Sequence, residues 1–220
     1  MPASLTFASL QTNLQAYLER GTAADTIVYS MLPTLINQAE RRISRELKVL
    51  GFLQTVQSTF ATGVWTIQKP DRWRQTVSFN VGAGTDSAGN ANALWNPVFP
   101  RSEEYVRYYN RDVNAQGLPK FFADYTYTNW IVSPTPDQNY PFEVLYYEMP
   151  ALLDSTNQTN WITIYAPELL TYASLLECEP FLKNDERVAV WQAMYDRTKA
   201  ALNMEDQSKI LDRQVTRQDA

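Results

Sequence analysis

The sequence predicts an α+β protein in which N- and C-terminal helices form a helical bundle and the middle of the chain forms an antiparallel β region of hairpins. Two patterns carry this prediction. Apolar residues recur at helical spacing near both ends of the chain, and they alternate with polar residues in the middle. The chain has 220 residues, of which 45% are hydrophobic, so it can bury a sizeable core without disulfide bonds. The C-terminus is expected to be an extended tail.

Two helices are predicted at the N-terminal end. Between residues 5 and 20 the apolar side chains follow helical spacing, and Gly21 is placed to end the helix. A second helix is expected to start near Asp25 and to continue to Leu50. Pro33 lies inside this helix and is expected to kink it or to separate its first turn.

Four basic residues lie off the apolar stripe of the second helix: Arg41, Arg42, Arg45 and Lys48. One interpretation is a solvated face on which these cations pair with Glu40 and Glu46. The alternative interpretation is a patch that binds a partner. The four basic residues are therefore candidate partner-binding residues.

The hydrophobic period changes to two after the second helix. Residues 52–81 alternate as strands do, with a turn at Gly63 and a break at residues 70–73. Residues 82–92 contain three glycines and no large apolar side chain. This stretch is expected to be a mobile loop or the tip of a hairpin. A short helix over residues 102–110 follows, with Ser102 as its N-cap.

Two β-prone runs, 121–132 and 142–149, are expected to pair as an antiparallel hairpin through a loop at 134–137. The segment is rich in aromatic residues: Tyr125, Tyr127, Trp130, Tyr140, Tyr146 and Tyr147. Aromatic rings can stack on bases or sugars, but such surfaces normally carry interleaved basic residues. Residues 121–150 contain none. A core or a subunit interface is therefore the preferred interpretation.

Two helices are predicted after residue 160, one opened by Pro167 and the other capped by Asn184 or Asp185. Residues 205–220 are polar, with three isolated apolar residues that are candidate partner-binding residues: Ile210, Leu211 and Val215. Three apolar side chains cannot build a core of their own. This tail is expected to be disordered in the free monomer and to become ordered against a partner.

The predicted organisation has four parts. They are the N-terminal helices of the bundle at 1–51, the β-rich extension with its mobile loop at 52–150, the C-terminal helices at 151–204, and the tail at 205–220.

Composition excludes several kinds of chemistry. The chain has no histidine and one cysteine, which removes histidine-based catalysis, internal disulfides and cysteine-rich zinc sites. It also lacks the glycine-rich phosphate-binding motifs. The carboxylate pairs Glu103–Glu104 and Glu177–Glu179 are spaced so that they do not face each other on a helix, and Cys178 is expected to be a buried apolar residue. No catalytic residue, cofactor or metal is predicted.

The net charge of −5 argues against a protein that coats nucleic acid, because phosphate neutralisation needs positive charge. No apolar run approaches the roughly 20 residues that span a bilayer. The first ten residues contain no basic residue and no long apolar stretch, so no signal peptide is expected there. Synthesis in a reducing cytoplasm, without a membrane partner, is expected.

Several short motifs resemble those of the head-to-tail adaptor (connector) proteins of tailed bacteriophages, particularly short-tailed ones. The resemblance covers about residues 25 to 203. The motifs are residues 35–45, Trp65–Ile67 with Pro70–Trp73, Tyr105–Tyr109 with Gly117–Pro119, Ile131–Pro136, Tyr146–Tyr147, Thr159–Ile162, Tyr165–Pro167, Pro180–Leu182 and Asp185–Arg187. The glycine-rich stretch at 82–92 departs from the family pattern, so no role is transferred to it.

The resemblance implies a structural virion protein at the head–tail interface. Such adaptors assemble as a ring, typically of about twelve copies, beneath the portal protein. The ring extends the DNA channel and docks tail nozzle or tail tube proteins. Genomic DNA would pass through without sequence-specific binding, and the arginine-rich helix face would meet acidic surfaces of the portal or of a neighbouring subunit.

Two other functions stay open on the sequence. One is a tail-associated cell-wall glycoside hydrolase, which needs two inward carboxylates about 5–9.5 Å apart in a cleft. The other is a DNA-packaging accessory that binds nucleic acid, which would show salt-dependent retention of DNA.

Overall fold

The computed structural model describes residues 5–19, 25–112, 114–179 and 186–215, and it confirms the α+β class. The chain divides into two compact units. The helical unit comprises Met1–Phe52 and Met149–Ala220, and the β unit comprises Leu53–Glu148. Among the described residues, no helix combines the length and the apolar character that crossing a bilayer requires.

The helical unit begins with helix α1, Phe7–Leu18. Thr6 caps it reciprocally with Ser9, since each side-chain oxygen accepts a hydrogen bond from the backbone N–H of the other residue. The apolar stripe predicted for this helix is buried at Phe7, Leu10, Leu14 and Leu18, whereas Tyr17, which has the same spacing, is 47% exposed. The glycine predicted to end it, Gly21, lies outside the described residues.

Helix α2, Thr26–Glu46, starts where the sequence predicts and includes Pro33. It ends four residues earlier than expected, and a 3-10 turn follows at Leu50–Phe52. Leu47 and Val49 are both buried, whereas Lys48 between them is exposed. This alternation requires an extended backbone, because residues two apart point the same way in a strand but not in a helix.

The C-terminal half of the helical unit contains helix α4, Trp161–Tyr165, helix α5, Pro167–Glu177, and helix α6, Val188–Val215. Pro167 stands in the first turn of α5, as predicted. Helix α5 contacts α1, α2, α4 and α6 and is buried along much of its length. The predicted caps of α6, Asn184 and Asp185, lie outside the described residues.

The predicted extended tail is wrong for residues 205–215, which continue α6 as a helix. Few of these residues are apolar, but a helix that is already nucleated gains one hydrogen bond for each residue that it adds, so it can continue without a buried face. Residues 216–220 lie outside the described part of the chain.

The β unit contains two four-stranded sheets with strand orders β1-β8-β3-β4 and β2-β7-β6-β5. The strands are β1 Leu53–Thr59, β2 Thr66–Gln68, β3 Trp73–Gly82, β4 Trp95–Pro97, β5 Phe99–Pro100, β6 Phe121–Asp124, β7 Asn129–Ser133 and β8 Pro141–Glu148. The described strand pairs are antiparallel except β5 with β6, which is parallel. Helix α3, Glu103–Tyr109, starts at the predicted N-cap Ser102.

The predicted hairpin between residues 121–132 and 142–149 is wrong. Residues 121–133 fold back on themselves as the β6–β7 pair, whereas β8 lies in the other sheet between β1 and β3. Alternation along β8 buries Phe142, Val144 and Tyr146, but the same alternation suits any neighbouring strand. The choice of partner was therefore not encoded in the local pattern.

Aromatic rings from both sheets form one hydrophobic core. Phe79 of β3 lies 5.7 Å from the ring of Trp130 of β7 and 5.2 Å from that of Phe122 of β6. On its own sheet, Phe79 lies 5.5 Å from Phe142 of β8. Phe79 thus joins the two sheets.

The glycine-rich stretch lies in the hairpin that joins β3 to β4, so a hairpin tip is the correct description. Its turn is held locally, because Asp86 accepts hydrogen bonds from the backbone of Ala88 and from the backbone and side chain of Asn90. The mobility expected for this tip stays a prediction.

Candidate partner-binding surfaces

The predicted basic face of α2 contains one arginine that is engaged within the protein. The Nε of Arg42 lies 2.9 Å from Oε1 of Glu46, and its NH1 lies 3.4 Å from Oε1 of Glu177 on α5. Its guanidinium also lies 4.9 Å from the ring centre of Tyr195 on α6. Arg42 therefore links three helices, and its role is structural.

Glu46 is the acceptor at the centre of this cluster. Its Oε2 accepts hydrogen bonds from the hydroxyl of Tyr195 at 2.9 Å and from Nζ of Lys199 at 2.8 Å. Partial burial opposes the charged form, but the hydrogen bonds from Lys199, Arg42 and Tyr195 outweigh it and lower the pKa of Glu46. The carboxylate stays ionised and holds α2 against α6.

Two other arginines of this face are free to meet a partner. Arg41 and Arg45 are exposed and line an open groove of about 590 Å³ together with Arg42 and Glu177. Within the described part of the chain, neither Arg41 nor Arg45 forms an ion pair. Lys48 is exposed beyond the end of α2. Arg42 therefore differs from Arg41 and Arg45 in its contacts. The binding role of Arg41 and Arg45 stays a prediction.

Glu40 does not belong to a solvated face, so the interpretation that made it a surface partner of the arginines is wrong. It is 1% exposed, and its carboxylate accepts hydrogen bonds from the backbone N–H of Leu153 at 3.0 Å and from the side-chain amide of Asn160. Burial raises the pKa of Glu40 to about 7, although both hydrogen bonds oppose this shift. Through these hydrogen bonds Glu40 holds the segment that contains Leu153 and Asn160, before α4, against α2.

The three candidate residues of the C-terminal tail lie in the last part of α6, which runs to Val215. The side chains of Ile210, Leu211 and Val215 lie outside the described part of the structure. Their role in binding a partner stays a prediction.

The aromatic residues of the β unit divide into two groups. Trp130, Tyr140 and Tyr146 are buried, so the core interpretation is correct for them. Tyr125 is 40% exposed and Tyr127 is 79% exposed, so they are available at the surface. Such rings are typical of protein interfaces.

Sequence reasoning missed the basic residues that accompany the exposed rings. The guanidinium of Arg107 on α3 lies 5.3 Å from the ring centre of Trp65 and 5.2 Å from that of Tyr125. Arg101 lies 5.7 Å from the ring of Tyr105 and 5.6 Å from that of Phe121. Residues 121–150 contain no basic residue, and these arginines come from the preceding segment.

The candidate catalytic carboxylates have structural partners. Glu103 forms a 2.6 Å ion pair with Arg107, and Glu177 contacts Arg42. Burial raises the pKa of the Cys178 thiol to about 12, so it stays protonated and is a poor nucleophile. The described residues include no cluster of acidic, cysteine or histidine side chains arranged to hold a metal ion.

The family model described as SU10 adaptor protein matches residues 5–218. No curated protein matches the sequence.

Proposed function

The chain belongs to the SU10 adaptor protein family of phage head-to-tail adaptors, and on that premise we propose that it forms a ring between portal and tail. Members of this family are structural virion components that interact with portal and tail proteins. The observation that carries the proposal is the family match, which extends over residues 5–218. The ring would contain about twelve copies, matching the cyclic symmetry expected of the portal.

A protomer of a closed ring needs two different contact surfaces, because heterologous contacts generate the cycle. The helical unit offers the open groove lined by Arg41 and Arg45. The β unit offers exposed rings, among them Tyr108 and Tyr127. These surfaces differ in chemistry, which supports contacts with different neighbours.

The groove of the helical unit favours an acidic partner surface. Arg42 is held by Glu46 and Glu177, so Arg41 and Arg45 carry the charge that a partner can meet. Since the chain as a whole has a net charge of −5, an acidic patch on a neighbouring copy is a suitable partner. An acidic surface of the portal is another.

The charge of the chain also bears on the DNA channel. Firm phosphate contacts would hold DNA in place, and they require an excess of Lys and Arg. The net charge of −5 favours a channel through which genomic DNA slides without sequence-specific contacts. The ring would thereby extend the DNA channel beyond the portal.

A structural role without catalysis is part of the proposal. Glu103 and Glu177 are each bound to an arginine, and the Cys178 thiol is buried and protonated. The two carboxylates are engaged in ion pairs within a helix and between helices rather than poised for proton transfer.

Native mass spectrometry of the purified protein, alone and mixed with portal assemblies, tests the proposal. We expect a discrete complex with the portal that contains about twelve adaptor copies. Absence of any portal complex would contradict it. Release of soluble peptidoglycan fragments would favour the hydrolase instead, and retention of DNA that weakens steeply with salt would favour the packaging accessory.

Charge reversal tests the groove. The double substitution Arg41→Glu and Arg45→Glu is expected to reduce complex formation, because it replaces the positive groove with a negative one. Arg197→Glu combined with Lys120→Glu is the matched control, since it changes the net charge by the same amount, and both residues are exposed and do not line the groove. Equal loss in both variants would show that the effect is one of net charge alone.

A further inference from the structure

We propose that a pocket between α3 and β7 in the β unit binds a glutamate side chain of a partner protein. The pocket has a volume of about 90 Å³. Its lining includes Trp65, Val106, Arg107, Arg111, Ile131 and Ser133. The proposal deepens the adaptor function, on which it rests for the existence of a partner protein.

Ser133 supplies the first observation that points to a ligand. It is 2% exposed, and its hydroxyl has no hydrogen-bond partner within the described structure. A buried polar atom without a partner costs free energy, and most such atoms in native proteins are satisfied. Ser133 is part of the lining of this pocket, so the pocket is bordered by a buried polar residue whose hydroxyl has no hydrogen-bond partner among the described residues.

The charge of the pocket is positive. Arg107 is neutralised in part by its ion pair with Glu103, but Arg111 forms no ion pair with any described residue. The guanidinium of Arg111 lies 4.4 Å from the ring centre of Tyr108, an arrangement that holds it beside the ring and leaves its N–H donors available. A guanidinium with free donors pairs well with a carboxylate, often through two parallel hydrogen bonds.

The size and the walls of the pocket select the kind of carboxylate. A water molecule needs about 10–15 Å³ of such volume, so the pocket of about 90 Å³ accommodates the end of a side chain. Val106, Ile131 and Trp65 provide apolar walls that suit methylene groups. A glutamate combines two methylenes with a carboxylate and satisfies both features.

A protein partner fits this surface better than a nucleic acid. The apolar walls of the pocket make no favourable contact with a phosphate group, which is fully polar. The net charge of −5 of the chain also repels a polyanion. The exposed rings of Tyr105, Tyr108 and Tyr109 lie on the same helix α3. Tyr and Arg are the residues that are enriched in the energetic centres of protein interfaces.

A titration of the full chain tests the pocket with a defined probe. The probe is glutamate with both backbone ends capped, and the matched probe is capped glutamine, which has the same shape without the charge. We expect saturable shifts in the NMR signals of the Arg111 Nε–H group and the Ser133 backbone N–H with the glutamate probe only. Similar shifts with glutamine, or none with either probe, would overturn the proposal.

Two substitutions test whether the glutamate probe binds at Arg111. Arg111→Gln is expected to weaken binding of the glutamate probe at least about tenfold, which corresponds to the loss of one good charged contact. Arg101→Gln is the matched control, because Arg101 contacts the rings of Tyr105 and Phe121 but does not line the pocket. It should leave the affinity within about twofold. Equal effects of the two substitutions would overturn the proposal.

Competition with inorganic phosphate and binding of duplex DNA test whether the pocket binds a nucleic acid instead. Inorganic phosphate that competes with the glutamate probe at equal concentration, together with binding of duplex DNA lost in Arg111→Gln, would overturn the assignment in favour of nucleic acid.

Attachment to tail-less, DNA-filled heads that contain the portal completes the test. We expect Arg111→Gln to attach at least about tenfold more weakly than Arg101→Gln. Equal attachment of these two variants would overturn the assignment of the pocket to a partner protein. Failure of the unsubstituted protein to attach would instead contradict the adaptor function, while the titration would still decide what the pocket binds.

Discussion

The backbone N–H of Leu50 donates a 2.7 Å hydrogen bond to Oδ2 of Asp206. This bond connects the 3-10 turn after α2 with a part of α6 that composition alone assigns to a separable tail. The bond is partly buried, so the loss of Asp206 would leave a donor of the turn without its partner. Residues 205–207 thus belong to the folded helical unit.

Two truncations are expected to differ in stability because of this bond. Truncation after Met204 removes Asp206, whereas truncation after Gln207 retains it. We expect the shorter protein to lose about 0.5–1.5 kcal/mol in the free energy of unfolding relative to the longer one, or a few degrees in melting temperature. Thermal melting followed by circular dichroism measures the difference. Asp206→Ala in the full chain should reproduce it, and identical melting of all three proteins would contradict the role of this bond.

Truncation after Gln207 also isolates the end of α6 as a docking element. It removes Ile210, Leu211 and Val215 and keeps the Leu50–Asp206 bond. We expect the folded monomer to persist, because the bond that fixes α6 to the 3-10 turn is retained, and we expect attachment to portal-containing heads to weaken markedly. A sedimentation assay with DNA-filled heads measures the binding. Unchanged affinity and stoichiometry would show that this end of the chain is not a docking arm.

Gly51 is expected to tolerate no side chain. A Cβ atom at this position would overlap the indole ring of Trp161, which packs edge-on against Phe52 with ring centres 5.1 Å apart. Gly51→Ala should therefore displace the ring and cost about 1–3 kcal/mol in the free energy of unfolding. Denaturant unfolding measures this cost.

Gly117→Ala is the matched control for that substitution. A Cβ atom at Gly117 would meet its nearest neighbour, Cβ of Pro134, at 3.7 Å, which is an ordinary contact distance. This variant should unfold like the original protein. Equal unfolding of the two alanine variants would show that the Trp161 ring moves aside at no cost.

Glu40 should make stability depend on pH near neutrality. Burial raises its pKa from 4.5 to about 7 in the folded protein, so the folded state binds the proton more tightly than the unfolded state. The contribution of Glu40 to stability is then highest below about pH 4.5, falls as the pH rises towards 7, and levels off above that. The full change is on the order of 3 kcal/mol. The chain has no histidine, so little else titrates in this range.

Urea unfolding between pH 5.5 and 8 measures this dependence. Glu40→Gln should remove most of the slope. Glu46→Gln is the control, because the pKa of Glu46 is lowered and this carboxylate is ionised throughout the range. A slope that persists in Glu40→Gln and disappears in Glu46→Gln would reverse the assignment.

The tip of the β3–β4 hairpin is expected to contribute little to stability. The described hydrogen bonds of Asp86 stay within residues 86–90. Replacing residues 86–90 by the short turn Asn-Gly should leave the melting temperature within a few degrees, since exposed loop tips tolerate changes of length. A larger fall in differential scanning calorimetry would show that the tip packs against the rest of the protein.

The local elements were predictable because their signals lie within a few residues of each other. The stripe of α1 and the N-cap at Ser102 were read from spacing and side-chain chemistry alone. The same holds for the hairpin tip at Asp86. In each case the hydrogen bonds or the buried face are formed by neighbours in the sequence.

The surfaces were less predictable because they join distant segments. Arg107 contacts the ring of Trp65, although the two residues are more than forty positions apart in the sequence. No pattern within either segment predicts this contact. Arg42 looked like its neighbours Arg41 and Arg45, yet only Arg42 lies within reach of Glu177 and Tyr195. One helical turn separates these roles, and only the packing of α5 and α6 decides between them.

Composition and short-range periodicity were enough to predict the class of fold, most of the helices, several of the strands and the absence of histidine chemistry. The packing of distant segments was needed to learn that β8 pairs with β1 and β3 and that Glu40 is buried. The same is true of Ser133, which lines a pocket with Arg111 and whose hydroxyl has no hydrogen-bond partner among the described residues. A strand pattern fixes which side chains point inward but not which strand lies beside it. The energy of a buried charge or hydroxyl depends on neighbours that only the folded chain brings together.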